Sequence, residues 1–268
     1  MEGNRMRRTM YLYARLFSQQ LKAILEYQAD FLILVVAAML TQVLGLVFIW
    51  LVYQRIPVVH GWSYWEVIFV FAMVNFSTGI SQFFFEGTWR ISGLINTGGF
   101  DLILLRPISP TLQILSGAVG MNGLGNALLG GIMLFQALSH VAIDWSILRV
   151  VIFILLFLCA LVIRVAINLA SNSLSFWTGA PGNAFPMMVS SLSEFVKFPL
   201  TIYATGVQLF FSIIIPYAFI NFYPASYLFN KPMGATMGLL TPIVTVVFTA
   251  ASIWMFRKGL KRYEGTGN

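Results

Sequence analysis

The chain has 268 residues, of which 59% are hydrophobic and only 9% are charged, with a mean hydropathy of +0.83 and a formal net charge of +7. A soluble domain carries about 25% charged residues, which it needs to cover its surface. The composition therefore excludes a soluble enzyme, a nucleic-acid-binding domain and a disordered scaffold. It predicts an all-α, polytopic membrane protein that forms a single domain over residues 1–268.

The first predicted element, residues 9–28, is an amphipathic helix that does not itself cross the membrane. Its apolar side chains recur at helical spacing, and its charged and amide side chains share the opposite face. The apolar set is Tyr13, Phe17, Leu21 and Ile24, and the polar set is Arg15, Gln19, Lys22 and Glu26. A helix divided in this way lies in the membrane interface. Two compatible interpretations stay open, an interfacial anchor and an elbow helix that also contacts a cytoplasmic partner.

Six segments are predicted to span the membrane, because each offers about 20 mostly apolar residues, enough to cross about 30 Å of hydrocarbon. They lie at about 31–52, 64–85, 113–138, 148–170, 201–222 and 234–256. The side that holds both chain ends receives twelve Lys and Arg residues, and the opposite side receives three. Since cytoplasmic loops carry the excess of Lys and Arg, both termini are predicted to lie in the cytoplasm.

The loop between the second and third spans, residues 86–110, is predicted to be folded rather than a simple tether. A short apolar helical stripe is followed by Gly98 and Gly99, which end helices readily. A second short apolar element begins at Phe100, where Asp101 suits a helix N-terminus. The stripe consists of Ile91, Leu94 and Ile95. A compact apolar loop favours docking to another protein, and packing on the chain's own helices is the alternative.

The third span carries three small residues, Gly123, Ala127 and Gly131, each four positions apart. Residues at this spacing share one helical face, and small side chains there let two membrane helices approach closely. The pattern predicts helix packing, either within one chain or between subunits.

Arg164 lies inside the fourth predicted span. A helix rises about 24 Å over the 16 residues from Leu148, which places Arg164 near the cytoplasmic interface. One interpretation is therefore snorkelling or helix pairing. The other is a role in a transport path, since charges inside membranes are often functional, and Asn75 and Gln82 of the second span would then accompany it.

The stretch between the fourth and fifth spans is intermediate in polarity. Residues 187–198 are predicted to form an amphipathic helix in which Glu194 and Lys197 pair at i,i+3, a second candidate cytoplasmic contact. After the fifth span, residues 216–232 are rich in aromatics and proline. That composition suits short interfacial or re-entrant helices on the outer side.

Motifs for chemistry are absent from the sequence. The phosphate-binding pattern Gly-x-x-x-x-Gly-Lys-Ser/Thr does not occur, nor does His-Glu-x-x-His or Gly-x-Ser-x-Gly. Cys159 is the single cysteine and the two histidines, His60 and His140, are far apart, which gives no disulfide or metal pattern. We therefore expect no enzyme activity, cofactor or metal site in this chain, and any energy for transport must come from elsewhere.

The order of these elements resembles the ABC type-2 permeases. That family has an amphipathic N-terminal elbow, six spans, a folded loop after the second span and a broken hairpin near the fifth. The run from Gly99 to Pro110 (GFDLILLRPISP) is similar to the loop of a six-span prokaryotic branch. Two other stretches also fit that branch, namely Ser175–Thr178 and the run Pro216–Ala225, which contains Tyr223-Pro224-Ala225. The resemblance covers essentially the whole chain.

The resemblance implies the membrane subunit of an ATP-driven exporter in a prokaryotic inner (cytoplasmic) membrane. Two permeases, identical or related, would pair in the lipid bilayer above a dimer of separate ATPase subunits that bind the ATP and magnesium. A cytoplasmic coupling helix would dock on the ATPase through Arg90, Ile91, Leu94, Ile95, Phe100, Asp101, Leu105 and Arg106. Such permeases mostly export lipidic, amphipathic or drug-like molecules, and nucleic acid is not expected as a partner.

Three other functions are alternatives to this one. The first is an ion-coupled carrier or channel without an ATPase partner, for which Arg164 is the best candidate residue. The second is a membrane-embedded enzyme, which would need a constellation of His, Asp or Ser that the sequence does not supply. The third is a structural component of a larger membrane assembly.

Overall fold

The computed structural model describes residues 2–26, 28–179 and 182–264, and it is almost entirely helical. The α-helices are α1 (Glu2–Leu25), α2 (Gln28–Arg55), α3 (Tyr64–Phe85), α4 (Ile91–Asn96), α5 (Phe100–Leu105), α6 (Pro110–Leu115), α7 (Met121–His140), α8 (Ile147–Ser173), α9 (Ser175–Thr178), α10 (Ala184–Ser191), α11 (Thr205–Leu209), α12 (Phe222–Leu228) and α13 (Gly234–Arg262). Short 3-10 helices lie at Glu86–Arg90, Leu192–Lys197, Leu200–Ile202 and Tyr217–Phe219, and a π-helix lies at Phe210–Ile214.

Five helices of the described residues are long and apolar enough to cross a membrane, namely α2, α3, α7, α8 and α13. Counting one bent helix pair as a further span gives six. This arrangement confirms the predicted all-α polytopic fold. It follows from the sequence because a backbone inside hydrocarbon must satisfy its hydrogen bonds within its own helix.

The two sides of the helix bundle are distinguished by their loops. The basic side holds residues 86–110 and the end of α13, where Lys261 and Arg262 lie in the last helical turn. The far side holds a small antiparallel hairpin of β1 (Val58–Val59) and β2 (Trp62–Ser63). Its turn places both His60 (φ 48°) and Gly61 (φ 82°) in the left-handed region, which suits a tight hairpin turn.

The third predicted span, 113–138, is corrected at its start. Residues 116–120 are not helical, and α7 begins only at Met121. The backbone N–H of Gly120 donates to the carbonyl of Gln82 at 3.0 Å, so the chain turns against α3 before it enters the membrane. Gln113 therefore belongs to α6 on the basic side and not to the span.

The predicted elbow, 9–28, corresponds to α1, which begins earlier, at Glu2, and ends at Leu25. Tyr13 and Phe17 pack on a cluster of rings at the end of α3, and the Tyr13 hydroxyl donates to the carbonyl of Phe84. Burial raises the pKa of Tyr13 to about 12, so the hydroxyl stays a neutral donor. The apolar face of α1 thus contacts this protein itself. Tyr27 and the side chain of Ile24 lie outside the described residues.

The fifth predicted span, 201–222, is wrong as a continuous helix. This stretch is divided into a 3-10 turn, α11, the π-helix and a second 3-10 turn, and its two halves are bent by 80°. The backbone breaks at Pro216, and proline cannot donate the hydrogen bond that a helix interior needs.

A more polar segment, residues 183–198, which we name the fifth passage, lies along α3 in its place. The two ends of this segment lie near opposite ends of α3. At the basic side, Asn183 Nδ2 donates to the Trp89 carbonyl at 3.1 Å, just after α3. At the far side, Asn221 Nδ2 donates both to the carbonyl of Val196 in the segment and to the carbonyl of Val70 in α3. From Val70 to the end of α3 is 15 residues, or about 22 Å of helix. Residues 205–228 therefore begin and end on the far side of the bundle, and we name them the re-entrant pair.

The core is centred on the far half of α3, where every side chain from Val67 to Val74 is buried. A helix that is apolar all round must be surrounded by protein or lipid, and α3 is surrounded by α2, α7, α8 and residues 192–197. A second, smaller core lies on the basic side and consists of Ile91, Phe100, Ile114, Leu169, Phe176 and Phe256.

Candidate functional site

A polar cavity of about 470 Å³ lies inside the helix bundle. It is lined by α2, α3, α7, α8 and residues 183–197, and it is open to the surface beside Met187 and Glu194, which are exposed. Its lining is Gln42, Asn75, Thr78, Gln82, Glu86, Trp89, Asn126, Arg164, Asn183, Met187, Ser190, Ser191, Ser193, Glu194 and Lys197. A cavity of this volume is the size of a small-ligand site, and its polar lining is unusual for a membrane interior.

Arg164 lies in the wall of the polar cavity and is only 3% exposed. Its Nη2 donates to the hydroxyls of Thr78 (2.6 Å) and Ser193 (3.2 Å), and the guanidinium lies 5.3 Å from the centre of the Tyr217 ring. The snorkelling interpretation is wrong, because the side chain points into the protein and bonds to two neighbouring elements. Helix pairing is confirmed, and all three of Arg164, Asn75 and Gln82 line one cavity.

A chain of amide side chains joins three membrane helices across the cavity wall. Gln42 Nε2 donates to Asn126 Oδ1 at 3.1 Å, and Asn126 Nδ2 donates to Gln82 Oε1 at 3.0 Å. Lys197 Nζ extends the chain to the fifth passage through Gln42 Oε1 at 3.4 Å. Buried amides need such partners, because an unpaired amide in an apolar interior costs several kcal/mol.

The predicted pair of Glu194 and Lys197 forms, with Nζ 2.7 Å from Oε2. The predicted place of Lys197 on a cytoplasmic surface is corrected, since Lys197 is buried beside the Phe71 ring, whose centre lies 5.3 Å from Nζ. Phe71 belongs to the far half of α3, so Lys197 lies within the bundle. Lys197 therefore belongs to the polar cavity, whereas the Glu194 side chain, which also lines it, is 65% exposed and its contact with a partner stays a prediction.

Several polar atoms of the cavity have no partner within the described part of the chain. They include two donors, Nη1 of Arg164 and Nδ2 of Asn75, and two acceptors, Oε2 of Glu86 and Oδ1 of Asn183. Asn75 is 2% exposed and is one of the residues that line the cavity, so its unpaired donor is shielded from bulk water. Buried groups of this kind mark a place where a ligand or water can bind.

The loop of residues 86–110, which we name the basic-side knob, is folded as predicted, but two of its candidate partner contacts are excluded. Ile91 and Phe100 are 0% exposed and belong to the basic-side core. The Phe100 ring lies 5.3 Å from Phe176 and 5.5 Å from Tyr263. These residues therefore hold the knob on the ends of α8 and α13, where α9 and Phe256 complete the core.

The exposed surface of the knob is formed by other leucines. Leu102 is 64% and Leu105 is 81% exposed, and Leu104 and Arg106 beside them are exposed as well. Leu94 and Ile95, two further predicted contacts, are half-buried against the basic-side core. The knob thus has a buried face that binds its own chain and an exposed apolar face with a cation at its edge.

The charged candidates of the knob differ in their surroundings. Arg90 is exposed but its Nη1 donates to the Gly117 carbonyl at 2.6 Å, which ties the knob to the break before α7. Asp101 is half-buried and lies beside Tyr263. Partial burial, and then the Asp101 carboxylate, raise the pKa of the Tyr263 hydroxyl. Asp101 is therefore directed toward the C-terminal end of α13 rather than fully toward a partner.

The small residues of α7 lie where α7 crosses α3. A side chain at Gly79 would place its Cβ 2.3 Å from the backbone nitrogen of Ala127 and 2.7 Å from the carbonyl oxygen of Gly123. Gly131 lies near the Phe76 ring on the same helix. Within this chain, the predicted small-residue face therefore packs α7 against α3.

A salt bridge between Lys231 and Glu66 stabilises the far side of the bundle. Lys231 Nζ lies 2.8 Å from Glu66 Oε1 and donates to the Gly61 carbonyl at 2.7 Å. Glu66 Oε2 also accepts a hydrogen bond from the Ser63 backbone N–H at 2.8 Å. The loop after α12, the β-hairpin and the start of α3 are thus held together by one carboxylate.

We expect Glu66→Gln and Lys231→Met each to lower the melting temperature of the purified chain. Breaking a partly buried ion pair leaves one group unpaired, which costs on the order of 1–3 kcal/mol, whereas the double variant removes both charges and should lose less than the sum. Thermal melting in neutral detergent measures both effects. Arg149→Gln removes an exposed hydrogen bond to Asn230 on the same side and should be nearly neutral. Strictly additive losses would contradict this prediction.

Four residues that shape the cavity were not predicted from the sequence. Gln42 and Asn126 are isolated amides in apolar spans, and that isolation is the feature by which they could have been found, since an amide in a membrane needs a partner. Thr78 and Ser193 gave no such indication, because a hydroxyl in a helix often bonds to its own backbone. Among the described residues, no group of three or more His, Cys, Asp or Glu side chains could hold a metal ion.

Comparison with known proteins gives one family. A family model described as "ABC-2 family transporter protein" matches residues 39–267. The match runs from the middle of α2 past the end of α13, so it includes the polar cavity, the basic-side knob and the re-entrant pair. The comparison with curated proteins gives no match.

Proposed function

Because the chain belongs to the ABC-2 family of transporter proteins and is thus a membrane component of an ABC transporter, we propose that it exports an amphipathic molecule with energy from separate ATPase subunits. The ATP and magnesium would bind on those subunits. Two permeases, identical or related, would pair above them. The basic side would face the cytoplasm, as the excess of Lys and Arg favours, in the inner membrane of a prokaryote.

The observation that carries this proposal is the two-faced basic-side knob. Its exposed leucines, Leu102 and Leu105, form an apolar surface on a part of the protein that lies outside the spans. Apolar side chains with a cation at the rim are typical of a protein-binding surface. We therefore propose that this face, with Arg106, docks on the ATPase and that it replaces Ile91 and Phe100 as the contact.

The buried face of the knob supports a mechanical role. Phe100 contacts Phe176 after α8 and Tyr263 after α13, so a displacement of the knob would be transmitted to the ends of two spans. Closely packed aromatic rings are stiff, because protein interiors have few voids and low compressibility. ATP-driven closure of the ATPase dimer would then shift α8 and α13 and change the access to the polar cavity.

The cargo path is proposed to pass through the polar cavity. Arg164, Asn75 and Gln82 line it, and the glycines at the crossing of α3 and α7 allow these helices to lie close together beside it. A cavity with polar walls inside an otherwise apolar bundle suits a molecule that has both a polar and an apolar part.

The experiment is reconstitution of the purified chain in vesicles, with and without the ATPase subunit that copurifies with it in mild detergent. We expect export of a fluorescent amphiphile only when both the ATPase and ATP are present. Non-hydrolysable ATP analogue is the control. Transport in vesicles that contain no nucleotide hydrolase, or a cargo flux that follows an ion gradient instead, would contradict the proposal and favour an ion-coupled carrier.

A further inference from the structure

The polar cavity presents unused hydrogen-bond donors at one place. Nη1 of Arg164 and Nδ2 of Asn75 have no partner within the described residues, although both side chains are at least 97% buried. Both line the same cavity, on α8 and α3 respectively. A buried donor without an acceptor costs about 1–3 kcal/mol, more if it is charged, so the site gains most from a ligand that accepts hydrogen bonds.

Within the described part of the chain, no carboxylate forms a salt bridge with Arg164. Its guanidinium donates instead to the hydroxyls of Thr78 and Ser193. Glu194, the carboxylate nearest in sequence to Ser193, is already paired with Lys197.

The remaining carboxylate of the cavity, Glu86, lies along α3 from the site. It is eight residues beyond Thr78, which corresponds to about 12 Å of helix. The positive charge of Arg164 is therefore locally unbalanced. A guanidinium presents planar, paired donors that match the oxygens of a carboxylate or phosphate.

One short helix separates this cavity from an apolar groove. Met187, Ser190 and Ser191 of α10 line the polar cavity. Phe185, Met188 and Val189 of the same helix line an apolar groove of about 380 Å³ on its other face. A polar and an apolar site thus lie about one helix diameter apart, about 10 Å, an arrangement that suits a molecule with a polar head and an apolar tail.

From these contacts we propose that the polar cavity binds the oxyanion headgroup of an amphipathic cargo, a carboxylate or phosphate, with Arg164 as the principal donor and Asn75 as the second. This inference rests on the proposed function, because it names the chemical class of the cargo. The centre of the Tyr217 ring lies 5.3 Å from the guanidinium, and this cation–π contact helps to hold Arg164 in position.

The test is calorimetric titration of the purified full-length chain, in neutral detergent and without any ATPase, with probes that share a ten-carbon tail. Decyl phosphate is expected to bind at least tenfold more tightly than decyltrimethylammonium. Arg164→Gln should weaken decyl phosphate binding by about 10- to 100-fold, as the loss of a charge-assisted hydrogen bond predicts, and Arg164→Lys should weaken it less. Inorganic phosphate, which has the headgroup chemistry without a tail, should bind at least tenfold more weakly than decyl phosphate.

A second variant keeps the test decisive if Arg164→Gln fails to fold. Asn75→Asp keeps the shape of the side chain, replaces a donor by a negative charge and should weaken decyl phosphate binding by at least tenfold. Arg257→Gln removes an exposed cation outside the cavity and is the matched control, with unchanged binding expected. Equal binding of the two ten-carbon probes, unchanged binding in Asn75→Asp, or equal binding of phosphate and decyl phosphate would overturn the proposal.

The titration separates this proposal from the proposed function. ATP-driven export by a chain that shows no preference for the anionic probe would overturn the headgroup assignment alone. Specific binding of decyl phosphate by a chain that transports nothing with an ATPase would overturn the exporter function and leave the oxyanion site standing.

Discussion

Leu105→Asp is expected to abolish ATP-driven transport while leaving the chain folded. Leu105 is 81% exposed, so its replacement removes almost nothing from the core. In a complex with the ATPase, however, the new carboxylate would be buried without a partner. Such a group in the centre of an interface costs 2 kcal/mol or more, or about 30-fold in affinity. Copurification of the ATPase and export in vesicles measure the loss, and the melting temperature of the free chain should be unchanged.

Ser109→Asp is the matched control for this substitution. It adds the same charge to the same knob but at an exposed helix N-cap ahead of Pro110, where aspartate is favourable. Transport should therefore be retained. Full transport and normal ATPase binding by Leu105→Asp would remove the leucine face from the proposed docking surface.

Phe100→Ala distinguishes docking of the knob on the ATPase from transmission of the knob's movement to α8 and α13. The ring is fully buried, and its removal is expected to cost about 3–5 kcal/mol of stability. Unlike Leu105→Asp, this variant should melt at a lower temperature. If it still binds the ATPase but no longer exports cargo, the ring transmits the motion rather than making the contact.

Gly79→Val is expected to have the largest effect on the fold. Its Cβ would lie 2.3 Å from the backbone of Ala127, and a backbone atom cannot move aside as a flexible side chain can. Helices α3 and α7 would be forced apart, at a cost of about 3 kcal/mol or more. The separation would also strain the hydrogen bond between Gln82 and Asn126 in the cavity wall. Melting temperature and the monodisperse yield in detergent measure the loss.

Gly206→Ala controls for the removal of a glycine from a helix. No atom lies within 4 Å of the position that its Cβ would take, so alanine should be neutral or slightly stabilising. A Gly79→Val variant with the stability of Gly206→Ala would mean that α3 and α7 do not cross closely at this point.

Much of the fold could be predicted from the sequence, for reasons that differ between segments. The spans at α2, α3, α8 and α13 were found because each is long and apolar, and a membrane leaves such a segment hardly any structure other than a helix. The fifth passage was missed because residues 183–198 include five serines or charged residues that line a cavity. Mean hydropathy depends only on which side chains a segment contains, and it does not show whether they face lipid or a polar cavity.

The candidate site could be predicted only in part. Arg164, Asn75 and Gln82 were singled out as polar groups in apolar spans, and all three line the polar cavity. Their partners could not be found, because Thr78 and Ser193 are 115 residues apart in the chain and only the packing of helices brings them to one guanidinium. The same reason explains Phe100, whose apolar ring suggested a partner contact but lies in the basic-side core.

By itself, the sequence determined the membrane environment of this protein and the position of its long apolar helices, because burial of backbone in lipid is decided locally, one segment at a time. Only the tertiary structure decided which polar side chains meet and which apolar ones are exposed. Those properties depend on contacts between segments far apart in the chain. Lys197 illustrates the difference, since its charge predicted an aqueous surface, whereas the packing of α2, α3 and the fifth passage places it beside Gln42 and Phe71 inside the bundle.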